Sequence, residues 1–569
     1  NMGNMGNMGN MGNVGNMGSG GNMGSGGNVG SGGAAYCERW EDMVTDVDHL
    51  FEWSVANRLN KIEWLLLGNY KWGNEWLTRF RRLKLLTGLG HSYSLLVGAD
   101  IPLGNIQQHG WFMVNVRLPF REQTEQILQR VDWVFNAGFD FLTTESGLSE
   151  FTHPECGLML DLMDVFAKHV NETWGREAGI KVHCSTGQKC EDYLDPRTLE
   201  PINFNFLPTH AHPGLGVFPH TVQVYALDDP TSFAYGNENF SYVEEYLVYE
   251  AKLRNRSVTF YGETAYWVNV DVDVPLFLPL YGQRRQLDLR RIAVRESRED
   301  FRISGQINFD SGWEWGYWVN DVVTARASWD PKLPAPLGTH ISQAQAQARA
   351  QAQDPSSPTS TPPPTSLPPS YEARQDQWSA YAAALLPITD ILGTRYGPRL
   401  NLLLVRLAKT QDHLLIHGRI HGRESPNLRK LGGMAYLSGG DTWVEIPRMF
   451  GMDFTQPDKV HMREGGDPDW PHAMALLAEM RHAFEAAFQD MDALYTDVMQ
   501  YNANFIANHN SNANFTTKSA QREPAFRINA AAEVILSELR DCTEMLSLRA
   551  RQQHLLYLSR DLGMGVGGV

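Results

Sequence analysis

Between residues 36 and 338, short apolar runs alternate with longer stretches whose apolar residues recur at helical spacing. Strands are expected at Ile62–Leu67, Tyr93–Ala99, Phe139–Thr144, Ile180–Cys184, Asn203–Leu207, Thr221–Ala226, Ser257–Tyr261 and Gln306–Phe309. Helices are expected over Glu75–Leu89, Glu122–Asn136, Gly157–Val170 and Tyr242–Leu253. The second of these places Ile127, Val131 and Val134 on one face. The segment Trp111–Val116 fits either type.

Strands separated by helices or long crossovers pair in parallel. Eight of them in a block of this size predict an α/β fold, a (β/α)8 TIM-type barrel over 36–338. A doubly wound open sheet is the competing arrangement, but no glycine-rich phosphate loop follows the first strand. From 371 to 561 helical periodicity takes over, over Ala382–Leu392, Leu400–Leu415, His472–Leu494 and Ala530–Leu558. This predicts a mainly α-helical C-terminal module. Two stretches fall outside both blocks. Residues 1–33 are Gly/Asn/Met-rich triplets without proline, a low-complexity tail rather than a collagen repeat. Residues 341–370 pass from a Gln/Ala run to a Pro/Ser/Thr-rich linker.

Composition narrows the function. The 569 residues are 42% hydrophobic and 20% charged, a globular balance that excludes wholesale disorder. The net charge of -16, without a strongly basic stretch, argues against a nucleic-acid partner. No apolar run is long enough for a transmembrane helix. Five cysteines in so long a chain exclude a disulfide scaffold, and no zinc-ribbon spacing occurs. The chain begins at Asn1, so a signal peptide is not readable from it; sequons at Asn171, Asn239, Asn255 and Asn514 are about as many as chance gives and do not prove secretion, and a secreted or cell-surface location is weakly favoured. Nothing in the sequence defines an oligomeric state.

In a parallel barrel the reacting groups stand at the C-terminal ends of the strands. Glu145 follows the third strand, and Ile180–Cys184 carries His183 near its end. His210 and His212 follow the fifth strand, and Asp228 and Asp229 the sixth. Glu263 follows the seventh, with Tyr266 and Trp267 behind it. The last strand runs into SGWEWGYW, which contains Trp313, Glu314 and Trp315. A carboxyl group beside Tyr and Trp is partly desolvated, which raises its pKa toward the range of acid catalysis. Flat indole and phenol faces suit the C–H faces of sugar rings. His183 also fits a hydrogen-bonded core histidine, and GWEWGYW a barrel cap.

Glu145 and Glu263 at strand ends, with GWEWGYW after the last strand, resemble the TIM-barrel glycoside hydrolases. The helical C-terminal block is similar to that of several hexosaminidase-type enzymes. The resemblance covers the architecture of 36–338 and extends loosely to 371–561. The motifs depart from characterised families: no Asn precedes Glu145 or His183, and the DxxDxDxE pattern is absent. The resemblance therefore implies an uncharacterised family of this kind, and carries over only Glu263.

It implies hydrolysis by two carboxyl groups. Glu263 is the expected nucleophile or base, Glu145 the acid and Asp228 the reserve partner. Trp267, Trp313 and Trp315 form the expected sugar platform, with His183, His210, Tyr266 and Glu314 also contacting the carbohydrate. No cofactor and no tightly bound metal are expected. Two other readings stay open. One is a metal-dependent hydrolase using His183, His210, His212, Glu263 and Asp228, although the first strand lacks an HxH pair. The other is a carbohydrate-binding or scaffold protein without turnover.

Overall fold

The computed structural model describes residues 40–66, 74–104, 113–147, 153–185, 187–231, 234–266, 276–309, 316–329, 369–418, 433–438, 470–511 and 527–561. The chain divides into two compact units, Asn1–His49 and Leu50–Val569. The first contributes only the opening turns of helix α1 (Trp40–Ala56) to the described residues. All that follows concerns the second.

Its centre is a sheet of seven strands, all neighbours parallel. They are β1 (Lys61–Leu65), β2 (Leu96–Asp100), β3 (Phe141–Glu145), β4 (Glu177–Val182), β7 (Leu215–Thr221), β8 (Thr259–Gly262) and β9 (Gly305–Ile307), paired in that order. Strand order thus follows chain order, as in a TIM-type barrel. Between β4 and β7 the chain makes a separate antiparallel hairpin, β5 (Lys189–Leu194) with β6 (Pro201–Asn203).

The expected eight-stranded barrel is therefore corrected to seven parallel strands among the described residues. Asn203–Leu207 alternates like a strand, but the Asn203 side chain accepts a hydrogen bond from the Asn205 amide and turns the chain into a 3-10 helix, Phe204–His210. Asn205 in turn donates to the Ser185 carbonyl at 3.0 Å, so polar and apolar members of the run are buried alike. The sixth expected strand, Thr221–Ala226, lies instead at Leu215–Thr221. Gly216 and Pro219 hide it in the sequence, because proline is rare inside a paired strand. Pro219 nevertheless sits in register with Val182.

Register sorts the side chains onto two faces. One carries Val97, Leu142, Ile180 and Val217, fully buried. Against this apolar layer belong helices such as α2 (Asn74–Ser92), with Leu83 in the same core, α3 (Phe120–Asn136), whose Ile127, Val131 and Val134 are buried there too, and α4 (Cys156–Lys168). The other face carries glycines and phenylalanines, then charged residues at the C-terminal end. The Phe141 ring lies over Gly98, where a Cβ would stand 2.1 Å away, and the Phe218 ring over Gly179, where it would stand 2.3 Å away. Small beside large lets the rings fill this face without a clash. Above this plug, Asp100, Glu145, Lys181, His220 and Tyr261 share the face.

Helices α5 (Ser241–Leu253), α6 (Leu280–Glu299) and α7 (Trp318–Trp329) complete this part. The helices that follow are α8 (Pro369–Ala384), α9 (Leu386–Thr389), α10 (Gly393–Gln411), α11 (Gly433–Ser438), α12 (Trp470–Ser511) and α13 (Ala530–Asp561). They brace segments that follow β8 and β9. Tyr381 donates to the Pro279 carbonyl at 2.8 Å, and Gln411 to that of Phe277 at 2.8 Å. Glu538 accepts from the Gly316 amide and the Trp318 indole, at 3.0 and 2.9 Å. The tail 1–33 and the linker 341–368 lie outside the described residues.

Candidate active site

The charged end of this face of the sheet is built from adjacent strands. Glu145 closes β3 and is the register partner of Lys181 on β4, and the two form an ion pair. The Lys181 ammonium also lies 3.2 Å from Asp100 at the end of β2, and 5.5 Å above the Tyr261 ring of β8. Both members of the Glu145–Lys181 pair are largely enclosed, with side-chain exposures of 17% and 16%. Burial alone would raise the Glu145 carboxyl, but the Lys181 ammonium outweighs it and holds the group below its usual range. Lys181 stays charged for the reciprocal reason: burial opposes the charge, and Asp100 and Glu145 more than restore it. Glu63 on β1 faces Asp100, and the pull of Lys181, Thr143 and Lys61 on it is the weaker effect. Burial, then repulsion from Asp100, pushes its carboxyl up to about 7.

Glu263 stands immediately after β8, the penultimate strand of the sheet. Its Oε1 lies 3.4 Å from His220 Nε2, and its Oε2 accepts the backbone N–H of Gln223. Gln223 adopts a left-handed conformation (φ 61°) to aim that N–H. For a residue other than glycine this costs about 1–2 kcal/mol, and such strain gathers at functional sites. The buried guanidinium of Arg285 lies against Gly262 and donates to Thr221 Oγ1 at 2.9 Å. Burial nevertheless dominates and pushes Glu263 up to about 8, against the pull of the Gln223 amide and the Arg285 charge. His220 is pushed the other way, down to about 3, by burial and then by the Lys181 charge. It stacks on Tyr261 with ring centres 4.3 Å apart. At neutral pH the pair is therefore a carboxylic acid beside a neutral imidazole, while Glu145 is a carboxylate.

His183 completes the rim. Its Nδ1 accepts the Ser185 amide at 3.0 Å, which puts the proton of the neutral ring on Nε2. Its ring meets Tyr235 and His220 edge-on, at 4.7 and 5.5 Å. Of the residues singled out in the sequence, Glu145, His183 and Glu263 thus come to one charged cluster, linked through Lys181, Tyr261 and His220.

Others do not join it. Asp228 pairs with Arg291 of α6 and is half-exposed; its loop reaches Glu263 through Gln223 instead. His210 is bonded to the Leu194 carbonyl at 3.2 Å and tilts against Tyr193, so it serves the β5–β6 hairpin. Tyr266 is buried edge-on to Tyr281, within the core rather than on a cleft wall. Trp267, Trp313, Glu314 and Trp315 lie outside the described residues. Among the described residues no cluster of three His, Cys, Asp or Glu side chains could hold a metal ion, and no helix is long and apolar enough to cross a membrane.

Sequence reasoning missed Asp100, Lys181, His220 and Tyr261. Their common signal is parity: each occupies the same alternate position on its strand as Glu145 does on β3, which shows only once the register is fixed.

No family model matches the chain, and no curated protein matches it by sequence. Its structural neighbours are glycoside hydrolases. It is similar to a GH138 enzyme targeting pectin rhamnogalacturonan II, with a TM-score of 0.40 and 9% identity, over 90% of this chain and 54% of that one. The chain thus spans about half the length of that enzyme. It is similar to a family 5 xyloglucanase from Paenibacillus pabuli, with a TM-score of 0.32 and 9% identity, over 50% of this chain and 90% of that one. It is also similar to a glycoside hydrolase family 5 enzyme from Prevotella bryantii, with a TM-score of 0.34 and 11% identity, over 49% and 86%.

Proposed function

We propose that the protein is a glycoside hydrolase using two carboxyl groups, with Glu263 as the proton donor and Glu145 as the ionised partner. One observation carries the reading: two glutamates of one charged cluster are held in opposite protonation states by their surroundings. Glu145 is paired with Lys181, and Glu263 sits in a dry niche against neutral His220. Carboxyl groups pushed apart in this way divide into acid and base or nucleophile. The roles are thus exchanged relative to the order expected from sequence. His183, with its proton on Nε2, would donate a hydrogen bond to a sugar hydroxyl. Trp267, Trp313 and Trp315 remain the proposed stacking platform.

The acid step follows from burial. A carboxyl group that retains its proton at neutral pH can pass it to the glycosidic oxygen as the bond breaks. The Gln223 N–H and the Arg285 charge then receive the carboxylate that is left. Glu145, already ionised, would stabilise positive charge at the anomeric carbon, either by direct attack or through a water.

The test is turnover of a panel of 4-nitrophenyl glycosides, α and β, by the full chain and by Glu263→Gln and Glu145→Gln. The reading expects at least one substrate to be cleaved, Glu145→Gln to lose on the order of a hundredfold or more on it, and Glu263→Gln to lose as much on an alkyl glycoside of the same sugar. Turnover that survives both substitutions would overturn it.

A further inference from the structure

We propose that Lys181 is a positioning residue that clamps the Glu145 carboxylate at the barrel mouth, with Asp100 as its anchor. The part this plays in turnover rests on the glycoside-hydrolase reading; the clamp itself does not.

The geometry is a three-strand bridge. Lys181 is rooted on β4, opposite Glu145 in the ladder with β3, and its ammonium reaches past Glu145 to Asp100 on β2. From the far side the Tyr261 ring closes over it at 5.5 Å, so the cation rests between two carboxylates and a π face. A lysine serving only to neutralise Glu145 would need one partner. The second carboxylate, 3.2 Å away, fixes where the ammonium sits and hence which way Glu145 is held. Below it, the Gly179–Phe218 packing leaves the Lys181 strand little room to shift.

The groups facing Glu145 come from several elements: Asp100 from β2, Lys181 and His183 from β4 and its end, and His220 from β7. Glu63 on β1 and Tyr261 on β8 complete the cluster around Lys181. Lys181 is the one lysine among them. After burial, its ammonium has the largest effect on Glu145, and it is the one that lowers the carboxyl.

The experiment follows the Glu145 carboxyl by 13C NMR in protein labelled at glutamate Cδ, the signal being identified by its loss in Glu145→Gln. Lys181→Met should raise its titration midpoint by about one pH unit or more, the reverse of what an adjacent cation does. Lys181→Arg should keep it near the unsubstituted value. Should the single variant not fold, Asp100→Asn/Lys181→Met removes both charges together and should still show a rise, a smaller one, because a repulsion on Glu145 is lost with the cation while its burial remains. An unchanged midpoint in the folded variant overturns the clamp. With a turned-over 4-nitrophenyl glycoside, the acidic limb of the kcat/KM profile should move up with the midpoint. If no glycoside is cleaved, the hydrolase reading fails while the NMR midpoint still decides the role of Lys181.

Discussion

His220 Nε2 stands 3.4 Å from Glu263 Oε1, and the two groups meet uncharged. Their titrations act on stability with opposite signs. Glu263 binds its proton up to about pH 8 when folded, against an ordinary value of 4.5. Its contribution is full below 4.5 and is lost as pH rises toward 8, because there only the native state holds the proton. His220, pushed down from 6.5 to about 3, makes the folded state more stable as pH rises across that lower window. Between 6.5 and 8 only the Glu263 effect of this pair remains. Glu63 and Asp288, each raised to about 7, act in the same direction as Glu263. The melting temperature should therefore fall from pH 6.5 to 8. In Glu263→Gln the fall should be shallower, and differential scanning calorimetry at matched ionic strength checks it. Equal slopes would mean that Glu263 is not neutral in the native state.

A second expectation concerns the plug beneath the site. An alanine at Gly179 would place its Cβ 2.3 Å from Phe218 Cζ, inside any tolerable contact. Overpacking of this kind costs about 1–3 kcal/mol. Gly179→Ala should lower the urea midpoint accordingly, and Gly179→Ala/Phe218→Leu should recover most of the loss. If the double variant is no better than the single, the ring is not what forbids the side chain.

These two cases also show what the sequence carries. Glu145, His183 and Glu263 were legible because apolar runs such as Phe139–Thr144 and Ser257–Tyr261 announce where strands end. Lys181 was not, because a lone lysine inside an apolar strand has no local sign of its partners. Asp100 and Glu145 lie about 80 and 36 residues away along the chain from it, and only register joins them. His220 was hidden for another reason. Pro219 and the glycines before it weaken the strand signal, and the Val-rich run after it has the stronger alternation. The C-terminal helices were legible by period, but which segments they grip was not: Tyr381 and Leu385 share a core with Phe277 and Tyr281, and contacts such as Tyr381 with Pro279 join residues about 100 apart.

Cys156, at the start of α4, is bonded to Cys190 on β5. The bridge thus ties the element after β3, the strand that Glu145 closes, to the element after β4, the strand that His183 follows. It closes a loop of sequence separation 34, for which chain entropy gives about 2–4 kcal/mol of stabilisation. Cys156→Ser/Cys190→Ser should lower thermal stability by that order in calorimetry. Both sulfurs lie in the core, so dithiothreitol should act on the native protein slowly, at a rate that rises as unfolding is promoted. A double variant as stable as the unsubstituted protein would show that packing alone holds the two elements together.

The division of labour between Glu263 and Glu145 can be separated by the leaving group. A proton donor matters most when the departing oxygen is a poor leaving group, and little when it is a weakly basic phenol. If Glu263 is the acid, Glu263→Gln should lose on the order of a hundredfold or more on alkyl or sugar leaving groups. On a 2,4-dinitrophenyl glycoside it should lose far less, since that phenolate departs unprotonated. Glu145→Gln should lose activity on both, because charge at the anomeric carbon develops whichever group leaves. Sodium azide should restore part of the rate of Glu145→Ala if Glu145 attacks the anomeric carbon directly, the small anion entering the space of the removed carboxylate. The pH profile adds an independent check. An acid held near pH 8 by burial predicts that kcat/KM falls on the alkaline side as Glu263 ionises, and that this limb disappears on the dinitrophenyl substrate. Should Glu145→Gln instead be the variant rescued by the better leaving group, the assignment reverses: Glu145 would be the donor, and the Lys181 pair would have to open as substrate enters.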